Sequence, residues 1–260
     1  METVEGNLYD YPRYYDLVFG SDWKAEFDFL QACFAEHATG TVRRLFEPAC
    51  GTGRLMYRLA KAGYDVAGND LNEKAVAFCN TRLRRHRLPE TAEVGDMSDF
   101  RLRRKVDAMF NTINSFRHLA SERQAEAHLA CVAASLRKGG VYLLGLHLTP
   151  SRGAPLADEE SWAARRGHLS VLSHMWTIET NRRRRRETVG MSFDVYTPSK
   201  TFRLVNRTDF RTYTARQMDD LIQRVPQFEI AQTYDFAYRI DQPIDVDASV
   251  EDVVYVLRRK

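Results

Sequence analysis

The chain has 260 residues, 44% of them hydrophobic and 28% charged, with a formal net charge of +3. That is apolar enough for a substantial core and long enough for one large domain or a domain with a smaller elaboration, so disorder is not the default. Cys33, Cys50, Cys79 and Cys131 stand singly, without a CxxC pair, and read as reduced thiols outside any disulfide scaffold or zinc site.

No run of about 18 apolar residues marks a membrane span, and the polar start "METVEGNLYDYPRYYD" has no signal-peptide core. A soluble, cytoplasmic protein without a membrane partner is expected. Arginines cluster at 82 to 87, 101 to 105 and 182 to 186, but acidic residues nearly balance them and no aromatics are interleaved. Helix ends and solvated turns account for such runs better than a nucleic-acid partner does.

In chain order, Trp23, Phe27, Leu30 and Phe34 fall at helical spacing after Ser21, which predicts a helix capped by Ser21 and ending near Gly40. "TVRRLFE" follows as a strand, then a helix over "RLMYRLAKAG" with Leu55 and Leu59 on one face and Gly63 as its stop. "YDVAGND" is a second strand. Asn72 caps a helix over "NEKAVAFCNTRLRRH", and "AEVGD" and "VDAMFN" are strands. Ser121 caps the helix "SERQAEAHLACVAASLRKGG", which leaves through Gly139 and Gly140 into the apolar strand "VYLLGLHL".

After Thr149 the pattern changes to extended segments, "LSVLSHMWTIETN", "ETVGMSFDVYTPS" and "KTFRLVNRTDFRTY", which predict an antiparallel insertion. "TARQMDDLIQRV" is a helix capped by Thr214. "FEIAQTYDFAYRI" and "DVVYVLRR" close the chain as strands that rejoin the main sheet. The expected class is α/β: a Rossmann-like, doubly wound, mostly parallel seven-stranded sheet with helices on both faces and an antiparallel insertion after the fifth strand. Ligands of such a sheet bind at the carboxyl ends of its strands.

Those ends carry a series of acids. Glu47 closes the first strand, Gly51 and Gly53 form the turn after it, Asp70 closes the second strand and Asp96 follows the third. A carboxylate about 20 residues past a glycine turn is placed to accept hydrogen bonds from ribose hydroxyls. The dinucleotide fingerprint needs a small residue three positions after the second glycine, and Met56 stands there, so a dinucleotide oxidoreductase is disfavoured. Glu47 would repel a pyrophosphate and suits a ligand carrying an ammonium and a sulfonium, as S-adenosylmethionine does.

In order, "FEPACGTGRL", "GNDLN", "VGDMSDF", "FNTINSFRHL" and "LRKGGVYLLGL" resemble the motif series of class I S-adenosylmethionine-dependent methyltransferases over residues 9 to 148. Within that family the chain is similar to small-molecule members, including sugar N-methyltransferases. The resemblance implies that the turn from Gly51 to Gly53 lies against the methionyl part, with Glu47 near its ammonium. It places Asp70 on the ribose, Leu71 on the adenine, Asp96 at the adenine amino group and Met97 over the ring. The Asn111 backbone lines the donor near its amino acid end, and Tyr15 closes over it. The expected organisation is an N-terminal segment and helix over 1–40 as a candidate lid, a cofactor-binding core over 41–148, an antiparallel acceptor-site insertion over 149–213, and the closing helix and last two strands over 214–260.

The implied donor is S-adenosylmethionine, with S-adenosylhomocysteine as product, and the implied partner is a small-molecule acceptor methylated on N or O. Its methyl is already activated, so alignment matters most, and a protonated acceptor needs a base. His118, after the fourth strand, is the first candidate and His147, at the end of the fifth, the second. Trp162, Trp176, Phe193, Tyr196 and Arg211 are candidates for a lid or pocket wall in the insertion, with core packing the commoner role for any one of the aromatics. No clustered acids suggest a metal. The rival functions are a nucleic-acid methyltransferase using the arginine runs and a noncatalytic donor-binding module.

Overall fold

The computed structural model describes residues 1–151 and 159–260; the insertion expected over 149–213 therefore lies partly outside the described residues. In chain order the elements are β1 (Glu2–Glu5), α1 (Pro12–Phe19), α2 (Lys24–His37), β2 (Arg44–Pro48), α3 (Met56–Lys61), β3 (Asp65–Asp70), α4 (Glu73–Arg85), β4 (Ala92–Val94) and β5 (Val106–Asn111). Then come α5 (Glu122–Ser135), β6 (Leu136–His147), β7 (Glu159–Arg166), β8 (Leu169–Asn181), β9 (Arg186–Tyr196), β10 (Thr201–Arg211), α6 (Ala215–Gln223), β11 (Phe228–Tyr234) and β12 (Asp252–Arg259).

Seven strands form the main sheet in the order β11-β12-β6-β5-β2-β3-β4. β2 to β6 are parallel, while β12 runs antiparallel between β6 and β11. Apolar residues of α5 and α6 pack on one face, and those of α2, α3 and α4 on the other. The expected class is therefore observed. Successive strands β2, β3 and β4 move outward in one direction, and β5 then returns to the opposite side of β2. That reversal opens a crevice at the carboxyl ends of β2 and β5, the place where such sheets hold ligands.

Local signals account for most element ends. The side chains of Asn72, Ser121 and Thr214 accept from Ala75, Gln124 and Gln217 amides, and Thr214 with Gln217 makes a reciprocal capping box. Ser21 does not cap α2. It lies in the connection after α1, a helix the sequence pattern does not reveal, and α2 begins at Lys24 without a side-chain cap. Helix α5 also stops earlier than expected, at Ser135, because Leu136 is already extended and pairs with Val106. Gly139 and Gly140 sit instead inside β6, where a Cβ at Gly140 would lie 2.7 Å from the Asp107 carbonyl oxygen.

The insertion supplies four strands of a five-stranded sheet in the order β1-β10-β9-β8-β7. Its antiparallel hairpins follow the extended segments of the sequence, and β7 adds a strand they do not signal. β1 joins it in parallel with β10, so the N-terminal segment and the insertion share one sheet. Buried Phe193 and half-buried Trp162 pack in its core, with Trp162 5.4 Å from Phe19 between ring centroids. Trp176 lies over Gly190, where any Cβ would meet its ring. Two arginine runs are partly neutralised: Arg82 pairs with Asp16, Arg185 with Glu122 and Arg186 with Asp209. Glu122 also receives Arg211 and Arg224, which ties the insertion to the helices of the main sheet.

His128, on α5, is 0% exposed. Its Nδ1–H donates to the Met97 carbonyl at 2.8 Å, so its Nε2 accepts from the Tyr142 hydroxyl at 2.7 Å. Burial pushes its pKa down to about 4. The unfolded chain takes up this proton below about pH 6.5, and the folded chain does not until about pH 4. Stability from this ring is complete above pH 6.5 and is lost as the pH falls toward 4, by about 3 kcal/mol. Urea unfolding of wild type and His128→Gln from pH 7 to 4 should show the shallower pH dependence in the variant; equal slopes would assign the acid loss to other groups.

Candidate cofactor and acceptor site

The turn after β2 is wound by Ala49, Gly51 and Gly53, all at positive φ (55°, 54° and 66°). Each glycine has its own reason. A Cβ at Gly51 would meet nothing within 4 Å, so open space lies beside that residue. A Cβ at Gly53 would lie 2.2 Å from the Cys79 Sγ, so Gly53 serves the packing of the turn on α4. Met56 takes the place of the expected small residue because Gly68, on the next strand, makes room: a Cβ there would lie 2.8 Å from the Met56 Sδ.

Among the described residues, the buried polar atoms without a partner include Glu47 Oε2, Arg54 Nη1 and Asn111 Oδ1 around this turn. Glu47 and Asn111 stand at the ends of β2 and β5, the two sides of the crevice, and the Asn111 Nδ2 donates to the Pro48 carbonyl at 3.0 Å. Arg54 follows the turn and pairs with buried Glu26 at 2.5 Å, while the Thr112 hydroxyl donates to the same carboxylate. Burial raises the Glu47 pKa well above its ordinary value, with the Arg54 guanidinium opposing it. An unsatisfied buried group costs about 1–3 kcal/mol, and here an acceptor carboxylate and a guanidinium donor are both left open. Together they complement the ammonium and carboxylate of an amino acid.

Asp70 closes the other side of the turn. Its Oδ2 accepts from the Gly51 amide and its Oδ1 from the Asn72 amide, both at 2.8 Å, leaving lone pairs on each oxygen. Burial raises its pKa against those two amides. Beyond it, Leu71 is 69% exposed, and Val94 and Ile113 are also exposed at the ends of β4 and β5. The Asp96 Oδ1 accepts from the amide and hydroxyl of Ser98 at 2.7 and 2.8 Å. Met97 is buried in the same core cluster as Phe46 and Phe116, its backbone fixed by His128.

The N-terminal segment packs against α4 and the glycine turn. Asp10 accepts from the Asn72 Nδ2 at 2.7 Å and pairs with Lys74 at 3.2 Å. Buried Asp16 accepts from the Thr52 hydroxyl at 3.1 Å and pairs with Arg82 and, at 3.6 Å, with Arg166. The Tyr15 ring centroid is 5.1 Å from that of Tyr9 and 4.5 Å from that of Phe19, and burial pushes the Tyr15 phenol up to about 12.

The two candidate bases differ. The His118 Nε2 is 2.9 Å from the Tyr9 hydroxyl and its ring lies 4.8 Å from that of Phe210. Desolvation of the imidazole, with Arg117 beside it, lowers its pKa. His118 is therefore neutral around pH 7 and a weak proton acceptor. The His147 Nδ1 lies 2.5 Å from the Asp252 Oδ1. Arg54, Glu26, Tyr9, Asp16 and Asp252 escape the sequence reading. Arg54 could have been found from its place directly after the glycine turn; the others are joined to the site only by tertiary contacts.

The sheet order, with its reversal beside β2, is that of a Rossmann-like class I fold. Residues 46–140 match the model of a family described as a methyltransferase domain. The chain is 33% identical over 139 residues to dTDP-3-amino-3,4,6-trideoxy-alpha-D-glucopyranose N,N-dimethyltransferase of Streptomyces venezuelae, an alignment covering 52% of this chain and 56% of that protein. The chain thus spans about half the length of the curated relatives it matches.

Among solved structures, it is similar to DesVI of Streptomyces venezuelae, with a TM-score of 0.77 and 20% identity, covering 94% of this chain and 97% of that one. It is also similar to the S-adenosylmethionine-bound amino pentose methyltransferase CalS10 of Micromonospora echinaspora, with a TM-score of 0.73 and 19% identity over 100% of both chains. At these identities the structures speak for the fold.

Proposed function

We propose that this chain is an S-adenosylmethionine-dependent methyltransferase acting on the amine nitrogen of a small molecule, with an amino sugar carried on a nucleotide as the acceptor class. The observation that carries the donor assignment is the unpartnered set Glu47 Oε2, Arg54 Nη1 and Asn111 Oδ1 beside the open Gly51. Glu47 holds the donor's ammonium and Arg54 its carboxylate; Asp70 holds the ribose hydroxyls and Leu71 lies on the adenine. Asp96 receives the adenine amino group, Met97 backs the ring from the core, the Asn111 backbone borders the amino acid end and Tyr15 covers the site. The amino-sugar class is supported by the activities named for the Streptomyces venezuelae relative and for CalS10.

When bound, the sulfonium supplies an activated methyl group, which leaves the chain to align the acceptor, exclude water and manage one proton. Tyr9 and Tyr15, braced by Phe19, shield the crevice from water. Neutral His118 offers the acceptor a hydrogen bond beside the Tyr9 hydroxyl. The nucleic-acid alternative is weakened by the arginines already held by Asp16, Glu122 and Asp209.

Calorimetry with S-adenosylmethionine, S-adenosylhomocysteine and NAD should give binding of the first two alone; binding of NAD alone would overturn the assignment. A panel of amines should then include dTDP-3-amino-3,4,6-trideoxyglucose, alongside an RNA control whose affinity would fall steeply with salt if that alternative held. His118→Ala should lower turnover about 10-fold while donor affinity stays near wild type, as expected for removal of one acceptor contact. Unchanged turnover would remove His118 from the site.

A further inference from the structure

His147 and Asp252 face each other as register partners of the antiparallel pair β6 and β12, at the end of the sheet where the crevice opens. Antiparallel pairing brings the last residue of one strand beside the first of the other, so this contact is fixed by the sheet itself and not by a loop. The His147 Nδ1 is 2.5 Å from the Asp252 Oδ1. The backbone is held as well, since the His147 amide donates to the Asn114 Oδ1 at 3.0 Å. Phe236 packs edge-on to the imidazole with 5.1 Å between ring centroids. Both side chains of the pair are 45% exposed, so the ring is oriented yet reachable.

A carboxylate cannot donate, so the hydrogen between them sits on Nδ1 and the lone pair of Nε2 is left open. This is the opposite of His118, whose Nε2 is engaged by Tyr9. Among the described residues, the titratable groups that border the pair include Glu251, whose carbonyl accepts from the Leu148 amide, and Tyr238, on the loop before β12. The Tyr238 phenol feels the Asp252 charge and donates to the Thr112 carbonyl at 3.3 Å.

We propose that Asp252 is a positioning residue that holds His147 in the tautomer able to take the proton from the acceptor's ammonium. This rests on the amine-methyltransferase reading above. In the step, an N–H bond of the ammonium breaks, the proton passes to Nε2, and the bonding pair stays on nitrogen as the lone pair that reacts. His147 then gives the proton to water.

The test uses Asp252→Asn in the full chain, with dTDP-3-amino-3,4,6-trideoxyglucose as acceptor. At pH 7 kcat should fall about 100-fold, a loss typical of a misplaced general base, while donor affinity measured by calorimetry is unchanged. The ratio of wild-type to variant rates should shrink as the pH passes the amine's own pKa, because a neutral amine needs no base. A purely structural role would give a ratio independent of pH, and that result would overturn the proposal.

A second measurement does not depend on turnover. Nitrogen-15 NMR of the wild-type imidazoles should assign a proton to Nδ1 of neutral His147, and Asp252→Asn should shift the population toward Nε2–H. A wild-type ring protonated on Nε2 alone would overturn the positioning. Absence of wild-type turnover with this amine would count against the amino-sugar reading alone, and the nitrogen-15 result would still decide the role of Asp252.

Discussion

Glu47→Gln should weaken S-adenosylmethionine binding about 100-fold while leaving the protein folded. The carboxylate is 8% exposed and its Oε2 has no partner among the described residues, so it contributes little to holding the native state together. Opposite an ammonium it becomes one half of a desolvated charge pair, and truncating one half of such a pair costs about 2–5 kcal/mol. The amide keeps the shape and loses the charge. The sign of the pH effect follows from the same burial. Since the Glu47 pKa is raised, lowering the pH protonates it before ordinary carboxylates, and donor affinity should rise with pH until the group is ionised. In the glutamine variant that rise should disappear. Calorimetry across pH 5 to 8 measures both effects, and equal affinities for variant and wild type would remove Glu47 from the site.

Gly53→Ala should destabilise the protein by about 3 kcal/mol, the largest stability effect expected in the turn. Two costs combine. At φ 66° an L side chain is strained by roughly 1–2 kcal/mol, and the new Cβ would fall 2.2 Å from the Sγ of fully buried Cys79, an overpacking cost of about 1–3 kcal/mol. Adding Cys79→Ala should relieve the second cost and leave the first, so the double variant should be more stable than the sum of the singles. Urea unfolding measures the cycle, and strict additivity would show that the two residues do not meet. Gly51→Ala offers a contrast, with strain but no clash.

Much of the fold was legible because its signals are local. Helix caps at Asn72, Ser121 and Thr214 need only the next few residues, and the alternation of apolar strands with helices requires no knowledge of what they touch. What was hidden depends on distant partners. The pairing of β1 with β10 spans most of the chain, α1 is stabilised by aromatics of the insertion, and the start of α2 shifts once α1 occupies the preceding residues.

The candidate site divides the same way. Glu47, Gly51 and Asp70 can be placed from the sequence because strand ends and turns have recognisable spacings. Arg54 stands directly after the glycine turn, but its partner Glu26 reads as an ordinary polar position on a helix; only burial, with Thr112 closing over Glu26, makes the two a charged pair. Met56 misleads for a related reason, because the glycine that accommodates it lies on the neighbouring strand.

The first twenty residues are bound into both layers of the molecule. β1 is paired through four residues with β10, while Asp10 and Asp16 fasten the same stretch to α4 and the glycine turn. This segment therefore cannot peel away as a free flap: it must either unzip from β10 or carry the five-stranded sheet along. On the reading proposed above, release of the donor is thereby coupled to displacement of that sheet.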